Sequence, residues 1–247
     1  MSCFLLALVT AQRPEVSLWL SAALLAFSLL LLAWYVARSR TVHEPIIRPG
    51  LFADLAFAIP NVMNWWASLA AFAILLLTPY YLVNVLKLSA FFAGLVLASA
   101  FVAALAGAPL SAWLVPRLGR RQTAFCGVAV IGLALLPLGL TGASTPIVVV
   151  ALLLAFEGLG MGLLAVAYTD LVVGTLSEQD RGIAGSLALL TRTMGNVSGA
   201  AVLTALYSHA ASGGFLAGYR FAFLAAGGGL LALLLLSCLY PRAWFQR

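Results

Sequence analysis

The sequence predicts an all-α, polytopic transmembrane helix bundle of about seven spans. Its 247 residues are 64% apolar and 8% charged, against about 25% charged residues in a typical soluble domain. So few charges cannot cover a surface that faces water. Long apolar runs recur along the chain, and each reaches the roughly 20 residues that a helix needs to cross a bilayer. Lipid offers no partner for backbone N–H and C=O groups, so these runs must be helical.

Seven apolar segments meet this length requirement, and short polar or Gly/Pro-rich turns separate most of them. We predict spans at residues 17–37, 56–80, 91–111, 122–140, 146–173, 184–208 and 220–240. The connection after the first span is longer and polar. It divides the chain into an outer stub with one additional span (1–37), a cytoplasmic linker (38–55) and a six-span unit (56–247).

Basic residues are distributed unevenly between the two sides of the predicted bundle. If the spans alternate in direction, nine of the 13 Lys and Arg residues fall on one side, three fall on the other, and Arg192 lies inside the sixth span. The positive-inside rule then places the C-terminus in the cytoplasm and the N-terminus outside. The net charge of +6 is spread over these loops. It therefore favours the lipid bilayer as a partner and argues against nucleic acid.

A short basic turn between the third and fourth spans marks the cytoplasmic surface. Its residues are Arg117, Gly119, Arg120 and Arg121. Asp170 lies roughly 36 Å along the fifth span at 1.5 Å per residue, so it should emerge at the same surface. There it is within reach of Arg117, Arg120 or Arg181. This arrangement suits either a latch on a cytoplasmic gating loop or a solvated charge at a helix end.

Two opposite charges are predicted to lie deep in the membrane. Glu157 is roughly 16 Å into the fifth span, near the middle of the bilayer, and Arg192 is roughly 12 Å into the sixth. A carboxylate at that depth is costly when ionised and marks a candidate functional group, here a proton carrier. We expect Glu157 and Arg192 to pair across neighbouring helices, with protonation of Glu157 releasing the pair. A purely structural ion pair is the alternative.

The second span carries a polar and aromatic stripe. Its members are Asn61, Asn64, Trp65 and Ser68. Their spacings of three, four and seven residues place them near one helical face. Such a face fits a substrate cavity for aromatic or cationic compounds. Interhelical hydrogen bonding between packed spans is the other interpretation.

No cofactor or metal is expected, and the chain is not predicted to be an enzyme. Cys3, Cys126 and Cys238 have no metal-ligand spacing and lie in or beside different spans, where they act as small apolar residues. The glycine-rich stretches lack the Lys-Ser/Thr of a phosphate loop. The sequence offers neither a metal cluster nor a nucleophile–base constellation.

Several short motifs occur in a fixed order. Thr78-Pro79-Tyr80-Tyr81-Leu82 ends the second span, Ser89-Ala90-Phe91-Phe92-Ala93-Gly94 opens the third, and the basic turn closes it. Gly158-Leu159-Gly160-Met161-Gly162 and Arg192-Thr193-Met194-Gly195-Asn196-Val197-Ser198-Gly199 follow. In this order the chain resembles the C-terminal half of a major facilitator superfamily transporter, and most closely the fourteen-span drug:proton antiporters.

The resemblance implies two six-helix halves that rock around a midplane cavity, of which this chain supplies one. It implies proton-coupled export of small lipophilic or cationic compounds from the bacterial inner membrane. It assigns the second, third, fifth and sixth spans to the cavity. Where the family's basic turn has Gly and Asp, this sequence has Ala112 and Pro116. An acid for any latch must therefore come from elsewhere, and Asp170 is the candidate.

The length of the chain leaves alternatives open. The resemblance implies that an N-terminal half is missing, so the chain is expected to be a gene fragment, a split subunit or a truncated sequence. A non-transporting fragment or assembly module that requires a separate N-terminal half is the alternative to a transporter. Substrate identity, proton stoichiometry and oligomeric state do not follow from the residues.

Overall fold

A computed structural model describes residues 53–175 and 181–245, and the predicted first span lies outside these residues. Residues Leu55–Arg247 form one compact unit. Its α-helices are α1 (Leu55–Tyr80), α2 (Ala90–Leu118), α3 (Arg120–Gly139), α4 (Ile147–Thr175), α5 (Arg181–Ala210), α6 (Phe215–Ser237) and the short α7 (Arg242–Phe245). The regular structure of the described residues is helical throughout.

The six long helices coincide with the second to seventh predicted spans, although their ends differ by several residues. Five of the described helices are long and apolar enough to cross a membrane: α1 with its π-helical extension to Val85, α2, α3, α4 and α6. Helix α5 has the length but is not among them. Polar side chains such as Arg192, Asn196 and Ser198 lower its hydropathy. The count of seven membrane spans therefore remains a prediction.

The turns between helices follow from local chemistry. Ser89 caps α2, where its side chain accepts a hydrogen bond from the Phe92 amide at 3.5 Å. Gly119 alone separates α2 from α3 and has φ of 98°, a conformation that side chains with a Cβ rarely adopt. Gly214 has φ of 96° and makes the corresponding turn before α6.

The helices pack as two groups. Helix α4 lies against α2 and α3, whereas α1 lies against α5, and α6 contacts α1, α3 and α5. Contact between α4 and α5 is slight by comparison. A seam therefore runs between the α2–α3–α4 group and the α1–α5 pair, and the cavities described below open along it.

Aromatic residues hold the end of the bundle where α1 finishes. The rings of Tyr81 and Tyr219 stack with centroids 5.0 Å apart, and Phe223 lies 4.5 Å from Tyr219. The Tyr81 hydroxyl donates to the Gly142 carbonyl at 2.9 Å. At the opposite end, Trp244 of α7 is fully buried and donates from Nε1 to Ser237 Oγ at 2.7 Å.

Candidate functional site: a groove along helix α4

Glycines bring the backbone of α4 into contact with both of its neighbours. A Cβ on Gly158 would strike the Ala100 carbonyl of α2, and a Cβ on Gly162 would strike the Ala104 carbonyl. On another face, a Cβ on Gly160 would come within 2.9 Å of the Gly127 carbonyl of α3. These are the close approaches that small residues permit in membranes, and they fix the position of Glu157 next to Gly158.

Glu157 is buried at membrane depth. Its side chain is 4% exposed, and its Oε1 atom has no hydrogen-bond partner in the described part of the chain. The residue lines a cavity of about 240 Å³, here called the outer cavity, together with Phe72, Phe101, Met161, Arg192 and Asn196. A buried carboxyl without a partner is costly when charged, so this group favours binding a proton or a cation.

Arg192 shares the outer cavity with Glu157. The two side chains do not form an ion pair, and Arg192 is exposed. The structure thus brings the two charges to one cavity while leaving the guanidinium without an acidic contact there. Their pairing stays a prediction.

A second cavity, of about 220 Å³ and here called the inner cavity, lies beside the first. Asn64, Tyr168, Thr169 and Arg192 supply its polar lining. Arg192 and Met161 line both cavities, so the two form one groove along the seam. The groove is lined by α1, α2, α4 and α5, which are the helices that the resemblance assigns to a cavity.

The polar stripe of α1 divides between packing and cavity lining. Asn61 accepts a hydrogen bond from the Tyr168 hydroxyl at 2.7 Å and donates to the Phe57 carbonyl at 2.8 Å. Ser68 is buried against Gly195 of α5 and donates to the Asn64 carbonyl. Asn64 lines the inner cavity. Trp65 meets the ring of Trp66 edge-on at 5.9 Å, outside the lining of the two cavities.

At the basic turn, Arg120 is the arginine that reaches Asp170. Its Nε lies 3.7 Å from Asp170 Oδ2, and its Nη1 donates to the Asp170 carbonyl at 3.3 Å. The guanidinium crosses directly over Gly174, where a Cβ would occupy the same space. The predicted acid thus meets the turn, but both partners belong to the same packed group, so the contact braces α3 against α4.

The other two arginines of the turn have different contacts. Arg121 donates from Nη1 to the Ala56 carbonyl at 2.6 Å and to the Ala243 carbonyl at 3.0 Å, which joins the start of α1 to α7. Arg117 lies over the Trp113 ring, 3.6 Å from its centroid, and donates to the Trp113 carbonyl. Neither residue reaches Asp170 by an ion pair in the described structure.

Sequence reasoning missed Tyr168, Asn196 and the bonding of Arg121. Asn196 carries a weak signal, because it lies about one helical turn from Arg192, whereas Tyr168 lies about three turns from Glu157 and carries none. The targets of Arg121 are backbone carbonyls 65 and 122 residues away, for which side-chain types give no signal. In the described residues, no group of three His, Cys, Asp or Glu side chains could hold a metal ion.

Comparison with known sequences identifies relatives for most of this unit. The family profile described as Major Facilitator Superfamily matches residues 61–244. The multidrug transporter protein MdtP of Bacillus subtilis is 23% identical over 188 residues, or 76% of this chain and 35% of that protein. The tetracycline resistance determinant of Streptomyces rimosus is 26% identical, covering 79% of this chain and 58% of that protein.

A third relative is the multidrug resistance protein B homolog of Mycobacterium tuberculosis, which is 28% identical over 73% of this chain and 34% of its own length. The chain thus spans between about a third and three fifths of the curated relatives described. The matched region contains the groove along α4 and the basic turn.

Proposed function

This chain belongs to the Major Facilitator Superfamily, and we propose that it is one six-helix half of a proton-coupled exporter of small lipophilic or cationic compounds. Members of the family are transporters rather than enzymes, and this chain is an integral membrane protein. Exchange of protons for substrate, residence in the bacterial inner membrane and a cytoplasmic C-terminus are parts of the proposal.

The observation that carries the proposal is the unpartnered carboxyl of Glu157 in an aromatic cavity. Oε1 has no hydrogen-bond partner among the described residues, and the rings of Phe72 and Phe101 line the same space. A proton and an organic cation compete for one carboxylate, because each neutralises it. Aromatic faces add attraction for the cation. Competition at one group couples the outward movement of a cation to the inward movement of a proton.

Alternating access requires a second half against which this one rocks. The chain spans 35% of MdtP and 34% of the M. tuberculosis relative, so we propose that the complete transporter includes a further set of helices. These helices lie in the same polypeptide or in a separate one. The groove along α4 would face them, since α1, α2, α4 and α5 supply its described lining residues and α3 and α6 supply none.

In this scheme Arg192 holds the ionised state of Glu157 until a proton arrives. The two residues share the outer cavity, and in this scheme they pair while Glu157 is ionised. Protonation removes the negative charge and releases the guanidinium. The brace from Arg120 to Asp170 lies within one packed group and takes no part in the proton step.

The test uses the complete transporter in proteoliposomes with an imposed proton gradient. Uptake of tetraphenylphosphonium and internal pH are measured for the wild type, E157Q and the control D170N. Glutamine cannot take up a proton at this position, so E157Q should lose proton-driven accumulation by at least about tenfold. A tenfold change corresponds to about 1.4 kcal/mol. D170N should retain it. Full proton coupling in E157Q would overturn the carrier role of Glu157.

The alternative is a module that does not transport without a separate half. This possibility needs a test because the chain covers only 35% of MdtP and 58% of the tetracycline resistance determinant. Sequencing the DNA upstream of Met1 decides whether an in-frame continuation encodes further spans. If none exists, co-expression with a candidate second half should restore both co-purification and transport, whereas the chain alone should show neither.

A further inference from the structure

The inner cavity presents hydrogen-bond donors that the packing of the helices does not use. Asn64 is 6% exposed. Its backbone carbonyl accepts from Ser68, but in the described part of the chain its side-chain amide forms no hydrogen bond. The amide is therefore available to a ligand that enters the cavity.

Arg192 supplies the second set of unused donors. Its guanidinium lines the same cavity and has neither a hydrogen bond nor an ion pair to another described residue. The guanidinium presents up to five N–H donors and a permanent positive charge. The Tyr168 hydroxyl donates to Asn61 Oδ1, and the Thr169 hydroxyl donates to the Ala165 carbonyl, so their hydrogens are not available to a ligand. Arg192 is the only charged residue among the described lining residues, which gives the cavity a positive charge.

The remaining walls are apolar. Met161, Leu164, Ala188 and Leu189 complete the lining. A volume of about 220 Å³ suits a single ring with one small polar head rather than a large amphiphile. Donors at one side and aliphatic walls at the other match a small aromatic or aliphatic acid, whose charged oxygens accept from Arg192 and Asn64.

We propose that the inner cavity is a binding site for small lipophilic monoanions, chiefly carboxylates. Arg192 and Asn64 bind the head, and Met161, Leu164 and Leu189 contact the apolar body. The inference extends the transport function proposed above, because it assigns a second chemical class of ligand to the same groove. It depends on the placement of Arg192 and Asn64 rather than on proton coupling.

Glu157 should oppose this binding from the adjacent cavity. It is the acidic residue that shares a cavity with Arg192, and Asn196 is the further polar residue of α5 in that cavity. An ionised Glu157 attracts the guanidinium and repels an incoming anion, whereas a neutral group at this position does neither. The glutamine variant should therefore raise the affinity for an anion several-fold.

The test measures binding to the purified 247-residue chain in phosphatidylcholine nanodiscs. The probe is 4-fluorobenzoate, followed by ¹⁹F line broadening, and 4-fluorobenzamide is the uncharged probe of matched shape. Charge-assisted hydrogen bonds contribute more than about 1.4 kcal/mol, so R192Q should weaken benzoate binding by about tenfold or more. R192K should retain part of the affinity, N64L should reduce it, and E157Q should increase it.

The benzamide affinity should be the same in the wild type and R192Q, and R220Q serves as the arginine control at an exposed position. If R192Q does not fold, N64L must show the same selective loss of benzoate. The proposal is overturned if R192Q binds benzoate as the wild type does, if it loses both probes equally, or if benzoate broadens no more than with empty nanodiscs. Transport is not measured, so a negative result leaves the role of Glu157 in proton coupling untouched.

Discussion

The basic turn and the groove use arginine in opposite ways. At the turn, Arg120 meets Asp170 and Arg121 meets two backbone carbonyls. In the groove, Arg192 and the Oε1 atom of Glu157 stand in one cavity without comparable contacts among the described residues. Charges that bind other parts of the chain stabilise the bundle. Charges left without partners at membrane depth are instead available to protons and ligands.

The largest stability effect should come from Arg121. R121Q removes the charged donor from the Ala56 and Ala243 carbonyls, and hydrogen bonds to charged groups contribute about 1.5–3 kcal/mol each. Because the site is partly buried, we expect the unfolding free energy to fall by about 2 kcal/mol. Thermal unfolding in detergent measures the change, with R220Q as the matched control. If R121Q and R220Q are equally stable, the hydrogen bonds of Arg121 do not stabilise the bundle.

Replacing Glu157 should not lower the unfolding free energy. E157Q removes the ionisable group from a buried position where Oε1 has no described partner, so stability should be unchanged or higher by roughly 1 kcal/mol. The same thermal unfolding experiment detects this. A loss as large as that of R121Q would show that Glu157 is structural, and the contrast between the two regions would fail.

A smaller effect is expected at the brace between α3 and α4. Both side chains of the Arg120–Asp170 pair are close to half exposed, and solvent screening limits such pairs to about 0–1 kcal/mol. R120D and D170R should each lower stability by less than about 1 kcal/mol, and the double variant should recover most of that loss. If D170R is instead rescued by R117D, the partner of Asp170 is Arg117 and not Arg120.

A comparably small effect should follow from separating Arg117 and Trp113. The guanidinium lies 3.6 Å from the ring centroid, and Trp113 is 55% exposed. An exposed cation–π contact contributes about 0.5–1 kcal/mol. W113L should therefore shift unfolding slightly, and less than R121Q does. A shift as large as that of R121Q would indicate that Trp113 has a further partner in the complete protein.

Hydropathy was enough to predict the long helices of the described residues to within several residues at their ends. Counting 1.5 Å per residue placed Glu157 and Arg192 at similar depths, and the structure puts them in one cavity. The same count put Asp170 within reach of Arg117, Arg120 or Arg181, and Arg120 is the arginine that contacts it in the structure. Both counts use only sequence separation along a straight helix, and the functional roles of these residues stay predictions.

Rotation about the helix axis is what the residues could not predict. Asn61 and Asn64 share a stripe, yet Asn61 bonds to Tyr168 while Asn64 faces the inner cavity. Which of them is covered depends on how closely α4 and α5 approach α1. For α5, Gly195 and Gly199 permit that close approach. The carbonyl targets of Arg121 depend in turn on α7 folding back beneath α3, which no local pattern specifies.

The backbone contact between α2 and α4 has a practical consequence for measuring motion. Gly158 and Gly162 leave no gap between these helices, so sliding would cause steric overlap and separation would lose a close-packed contact. Two spin labels, one at the exposed Leu105 of α2 and one at the exposed Phe156 of α4, would report an internal reference length that ligands do not alter. Any change measured from either label to α5 can then be attributed to opening of the seam.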